Sequence, residues 1–299
     1  MDTNQQLYLD LIKKCLTRII TEESFAVYKE PNLEVREQRW LERGNPIKRW
    51  LKHAAMKALR EAGLLKSTRD AGLPLYTRIP FDRMKREIGR DWPLDAETMI
   101  GLRRLDNLQA CIETIIKDDI PGDLVEAGVW RGGASIFMRA VLRAYQDPSR
   151  RIWCADSFRG LPAPNLEAYP QDKNANWHTK PELAVSREVV EHNFAKYGLL
   201  DDRVTFLEGW FKDTLPCAPI TDIALLRLDG DMYESTMDAL KSLYSKVSPG
   251  GFVIIDDYGL PEDTCRRAVH DFRDAQGISE PILDIDGWGA FWQRKYPQR

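Results

Sequence analysis

The stretch DLVEAGVWRGGAS, residues 123–135, decides how the rest of the chain is read. Leu124 and Val125 open a short apolar run that reads as a strand and ends on Glu126. Gly128 permits a tight turn, and Gly132 and Gly133 let the backbone come close to a ligand where a helix starts, near Ala134. Strand, glycine turn and helix N-terminus make the ligand corner of a doubly wound α/β domain, with unpaired N–H groups facing the cleft. The spacing is EAGxxxGG. It is neither the GxGxxG of a dinucleotide site nor a phosphate loop ending in GK[ST]. These features favour a ligand without phosphate that needs donors and one acidic partner, which points towards S-adenosylmethionine (SAM). A tight βα turn with no ligand has the same local features, so the corner is weighed with the rest of the chain.

Outward from this corner the pattern is regular. Upstream, Ile100, Leu102, Leu105, Leu108, Cys111, Ile112, Ile115 and Ile116 fall at helical spacing, and Pro121-Gly122 ends that helix. Downstream, four apolar runs each close on polar or turn residues. RIWCAD ends at Asp156, RVTFLEGW passes through Gly209, DIALLRLDGD contains Asp229, and GGFVIIDD ends at Asp256-Asp257. Helical stretches are expected over residues 184–197, 235–247 and 265–275. Such alternation implies a mostly parallel sheet covered on both faces. PILDID and GAFWQRK, separated by Gly287, read as a closing hairpin at the sheet edge.

The N-terminal third is less regular. An amphipathic helix is expected over residues 7–20, from Leu7, Leu11, Ile12, Leu16, Ile19 and Ile20. A second, over residues 47–65, has a basic outer face that reads as a solvated or docking surface. Residues 22–46 and 67–96 carry scattered prolines and read as irregular. The expected division is an N-terminal helical extension over residues 1–96 and a SAM-binding α/β domain over residues 97–299.

Composition narrows the class. The chain has 299 residues, is 43% hydrophobic and 30% charged, and carries a formal net charge of −3. That balance gives no general case for nucleic acid. No apolar stretch approaches the ~20 residues of a membrane span, and the N-terminus lacks the pattern of a secretory signal, so a cytoplasmic enzyme is expected. The five cysteines are scattered without a CxxC pair and read as reduced.

Ligands of open parallel sheets bind beyond the carboxyl ends of the strands, and here each strand delivers an acid to that edge. Asp156 suits ribose hydroxyls or serves as a turn residue before Gly160. Thr98 and Met99 either approach the methionine end of the cofactor or act as helix cap and core residue. Trp210 is a core residue or an aromatic wall for adenine. Asp229, Asp256 and Asp257 end two successive strands, where gathered like charges favour a hard divalent cation such as Mg²⁺. Asp231 is read as a helix cap or a further member. The long aperiodic stretch over residues 162–181 reads as a lid, with Tyr169, Trp177 and His178 as candidate substrate contacts.

Taken together, TMIGLRRLDNLQ, GDLVEAGVWRGGASIFMRA, CADSFRGLP, HNFAKYGLLDDRVTFLEGWFKDTLP, LRLDGDMYESTMDAL, SPGGFVIIDDY and AVHDFRDAQGISEPI closely resemble the macrocin and mycinamicin O-methyltransferase family (TylF/MycF type). That family also includes a noviose O-methyltransferase. The likeness runs from about Thr98 to Lys295, with LYLDLIKK resembling the family's first helix; residues 30–95 depart from it and are longer.

The resemblance implies a class I SAM-dependent methyltransferase with a doubly wound, mostly parallel seven-stranded sheet. It implies a SAM- and Mg²⁺-dependent enzyme methylating a sugar hydroxyl of a glycosylated secondary metabolite, as a homodimer or larger assembly. On its motifs, Asp229, Asp256 and Asp257 look like metal ligands, with Asp229 also the candidate base. Thr98, Met99, Glu126, Gly128, Asp156, Ser157, Gly209 and Trp210 look like cofactor contacts, and Gln293 faces the acceptor. No lysine follows Asp229 as in catechol methyltransferases, which makes a catechol acceptor the weaker enzymatic alternative. The rival from another class is an inactive SAM-binding scaffold.

Overall fold

Five apolar segments of the chain have the right length and apolar content for strands, and each becomes one. A computed structural model describes residues 2–27, 76–261 and 263–295. Strands β3 (Asp123–Ala127), β4 (Ile152–Asp156), β5 (Val204–Glu208), β6 (Ile223–Leu228) and β7 (Val247–Ile255) lie parallel. The hairpin β8 (Leu283–Asp284) and β9 (Ala290–Gln293) closes the sheet, with β9 antiparallel to β7. The order is β5-β4-β3-β6-β7-β9-β8, so the direction of winding reverses between β3 and β6. That reversal is where a doubly wound sheet opens a crevice at its carboxyl edge.

Side chains alternate across the sheet and supply two cores. Leu124, Ile152, Cys154 and Ile254 face one cluster, whereas Val125, Trp153, Ala155, Val253 and Ile255 face the other. The first is covered by α1 (Thr3–Leu16), α3 (Gly101–Lys117), α4 (Gly133–Ala144) and α5 (Arg187–Lys196). The second is covered by α7 (Tyr233–Leu243) and α8 (Thr264–Gln276), with Trp292 of β9 fully buried among them. Short helices α2 (Arg83–Glu87) and α6 (Phe211–Thr214) complete the described set.

The N-terminal helix begins earlier than its apolar pattern suggests, because Asp2 and Gln5 form a capping box. Leu9, Ile12 and Leu16 are buried, whereas Leu7, Leu11 and Ile20 are exposed, so the inward face is narrower than expected. The backbone N–H groups of Glu97 and Thr98 both donate to Leu16 O, which ties the end of α1 to the segment leading into α3.

The described residues fall into two compact units, Met1–Glu22 with Asp82–Arg299 and, separately, Glu23–Phe81. The first helix therefore shares a core with the sheet, unlike in the expected division at residue 96. Within the smaller unit, β1 (Ser24–Val27) and β2 (Tyr76–Ile79) pair antiparallel where irregular chain was expected. The helix expected over residues 47–65 lies outside the described residues, as does most of the stretch 22–46 read as irregular. Among the described residues no helix is long and apolar enough to cross a membrane.

Candidate active site

The glycine corner is built by close approach of backbones. A Cβ on Gly128 would lie 1.7 Å from Asp229 O, and its φ is +95°, so the turn after β3 admits only glycine. Gly132 caps α4 in the left-handed region with φ +88°, and a Cβ on Gly133 would lie 2.5 Å from Glu97 O. Three further residues with positive φ, Trp130, Phe158 and Asp231, all sit in turns at this same edge of the sheet. Such conformations are costly for side-chain-bearing residues and concentrate at functional turns.

Asp156 organises this corner from the end of β4. Its Oδ2 accepts from Val129 N at 2.7 Å and from Trp130 N at 3.4 Å, and its Oδ1 accepts from Phe158 N at 2.8 Å. Two donors expected to face a ligand are thus engaged by Asp156. Burial pushes the Asp156 carboxyl up, against the pull of these hydrogen bonds. Thr98 lines the cleft, and its Oγ1 accepts from Ile100 N at 3.4 Å just before α3, without capping that helix.

The cleft is open to solvent and is lined by Thr98, Met99, Glu126, Gly128, Asp156, Asp229, Asp256 and Asp257. A second, smaller cavity shares Asp156, Gly160 and Leu161 with it and is lined by Ser157, Gly209 and Trp210. All eight expected cofactor contacts therefore line these two adjoining spaces.

Beneath the cleft, charge is densely paired. Arg227, 2% exposed, reaches Glu126 Oε1 at 2.5 Å, Asp229 Oδ2 at 2.9 Å and Asp256 Oδ1 at 2.5 Å. The other Asp256 oxygen pairs with Arg104, which also lies 3.1 Å from Asp286. Ser135 Oγ donates to Glu126. Burial pushes the Glu126 carboxyl up to about 7, while Arg227 and the Ser135 hydrogen bond pull it down.

Two of the acids expected to hold a cation, Asp229 and Asp257, stand with Asp231, each bringing one oxygen within 4.8 Å of the others. The oxygens of Asp256, the third expected ligand, accept from Arg104 and Arg227. Burial, followed by repulsion from Asp231, Asp229 and Asp256, holds the Asp257 carboxyl well above the usual carboxylate range. Three hard oxygen donors under mutual repulsion fit a divalent cation of the Mg²⁺ or Ca²⁺ kind.

On the remaining wall, Trp177 lines the cleft, whereas His178 is exposed and is not among the residues lining either cavity. Gln293 is also placed elsewhere. Because β9 runs antiparallel, Gln293 pairs with Phe252 and donates to Gly250 O at 2.8 Å, towards the opposite end of β7 from Asp256. Trp288, before β9, lines the cleft instead. Sequence reading also passed over Arg104, Trp92 and Arg227. A charged residue inside the apolar run LLRL was the available signal for the last.

Comparison with known proteins adds family relationships to this geometry. The family model described as Macrocin-O-methyltransferase (TylF) matches residues 5–294. The 8-demethyl-8-(2,3-dimethoxy-alpha-L-rhamnosyl)-tetracenomycin-C 4'-O-methyltransferase of Streptomyces olivaceus is 59% identical over 213 residues, 71% of this chain and 81% of that protein. The mycinamicin III 3''-O-methyltransferase of Micromonospora griseorubida is 51% identical over 223 residues, covering 74% and 87% of the two chains. Among solved structures, the O-methyltransferase NovP superposes with a TM-score of 0.77 at 40% identity, over 98% of this chain and all of its own (100%).

Proposed function

We propose that this chain, which belongs to the macrocin O-methyltransferase family, carries the methyl group of SAM to a hydroxyl of a deoxysugar on a glycosylated natural product, with a divalent cation beside the acceptor. One observation carries the reading: a single cleft at the winding reversal is lined both by the glycine corner and by Asp229, Asp231 and Asp257. The sugar acceptor is suggested by the relatives, whose names specify a rhamnosyl tetracenomycin and mycinamicin III.

In this reading SAM spans the two cavities. Thr98, Met99, Glu126 and Gly128 line the space for its methionine end, Asp156 and Ser157 stand between, and Gly209 and Trp210 line the space for adenine. The sulfonium carries its own leaving group, so the protein has little bond activation to supply on that side. The acceptor needs more help, because an alcohol is a poor nucleophile near neutral pH. Asp229, Asp231 and Asp257 would hold a hard divalent cation such as Mg²⁺, and when bound it supplies Lewis acidity that lowers the pKa of an adjoining hydroxyl. Asp229 takes the acceptor proton as base, since it lines the cleft beside Asp231 and Asp257. Asp256, held by Arg104 and Arg227, orients this floor. The cleft walls fix the hydroxyl in line with the methyl group, which converts a bimolecular encounter into an oriented one.

The test is mass spectrometry of products from SAM and a panel of rhamnosylated and non-glycosylated acceptors. The expected outcome is one added methyl, located on the sugar fragment. Methylation confined to catechol or aglycone hydroxyls would overturn the sugar reading.

A further inference from the structure

Two tryptophans stand in the cleft without a core to fill. Trp92 is 41% exposed, and its ring meets that of half-buried Trp177 at 6.4 Å between centroids and 34° between planes. Both line the same cleft as Asp229, Asp231 and Asp257. Large apolar rings left partly open inside a concave site are surface kept for a ligand.

The backbone carrying each ring is pinned by charged groups. Arg131, from the glycine corner, donates to Leu94 O at 2.7 Å and to Ala96 O at 2.9 Å, just after Trp92. Arg86 pairs with Asp91 at 2.8 Å, just before it. Before Trp177, fully buried Asp172 accepts from Tyr233 N at 2.7 Å and Glu234 N at 3.1 Å, fastening this stretch to α7. Trp92, on irregular chain, and Trp177, at the start of the 3-10 turn Trp177–Thr179, thus stand on backbone fastened before any ligand arrives, which lowers the ordering cost of binding.

Adenine does not need this pair, because Trp210, Gly209 and Ser157 line the separate cavity beyond Asp156. Trp288 is already faced by the Arg90 guanidinium at 3.6 Å. We propose that Trp92 and Trp177 form the platform for the C–H face of the acceptor's deoxysugar ring, leaving its hydroxyl edge to the carboxylates. This rests on the sugar reading given above. A 6-deoxy sugar suits such a platform. Its axial C–H bonds and methyl group are apolar and weakly positive, and the aromatic face is negative. Its hydroxyls project from the rim, where Asp229 and its neighbours lie in the same cleft.

The test uses the full chain with S-adenosylhomocysteine and Mg²⁺, and saturation-transfer NMR with methyl α-L-rhamnopyranoside as the probe. Wild type should transfer saturation mainly to the ring C–H and C6 methyl protons. Trp92→Ala and Trp177→Ala should each weaken sugar affinity about tenfold, the scale of one lost aromatic contact. Trp177→Phe should retain most of it, and calorimetric SAM affinity should be unchanged in all three variants. Undiminished transfer in both alanine variants would overturn the platform alone. No transfer in wild type with intact SAM binding would overturn the sugar reading and the platform with it.

Discussion

Arg227 shows what single residues do in this molecule. It sits on a central strand because Glu126, Asp229 and Asp256 converge from three neighbouring strands and one buried cation serves all three. Burying charge is costly, and removing one partner from such a set leaves the others uncompensated. Arg227→Met should therefore destabilise the protein by about 3–5 kcal/mol, whereas Arg227→Lys, which keeps the charge but loses the fork, should lose less. Urea denaturation measures both, and a near-neutral Arg227→Met would refute this role. The aspartates were legible in the sequence as a cluster but not as a geometry. Asp256 and Asp257 are adjacent, and successive residues leaving a strand point to opposite sides. One therefore meets the arginines and the other meets Asp229 and Asp231. Spacing alone does not distinguish the two.

At the scale of elements, regular periodicity was readable and tethering was not. The strands and the helices between them follow from apolar runs and their turn residues, within a few positions. The N-terminal ribbon β1–β2 was not legible, because each strand has four residues and their pairing partners lie far apart in sequence. Gln293 was misplaced for a related reason: a hairpin is visible in sequence, but which end of its last strand meets the site depends on pairing with β7. The lid stretch holds the clearest hidden contact. Asp172 caps α7 from a distant part of the chain, meeting two of the N–H groups that every helix start leaves unpaired. Asp172→Ala should cost about 1 kcal/mol, typical of a lost helix cap, and should loosen the stretch carrying Trp177. Thermal unfolding together with proteolysis between residues 162 and 181 reads both effects. An unchanged melting temperature and cleavage rate would contradict the tether.

At the scale of the whole molecule, the sheet divides its labour across the winding reversal. The ends of β3, β4 and β5 carry six of the eight expected SAM contacts, while the ends of β6 and β7 carry the acids proposed for a cation. SAM affinity should therefore persist in chelator, and calorimetry with EDTA present should give nearly the same Kd as with Mg²⁺. A loss of binding would mean that the two halves are one site. The central claim is that Asp229, Asp231 and Asp257 hold the cation needed for methyl transfer, with Asp256 turned to the arginines. Turnover against Mg²⁺ concentration, in chelator-treated wild type and in Asp257→Asn, Asp231→Asn and Asp256→Asn, tests it most directly. Wild type should show saturable dependence, and the half-saturating Mg²⁺ concentration should rise by about tenfold or more in the Asp257 and Asp231 variants, the scale of a lost charged ligand. Asp256→Asn should turn over more slowly with little change in that concentration. Full turnover of wild type in chelator, or a shift confined to Asp256→Asn, would contradict it.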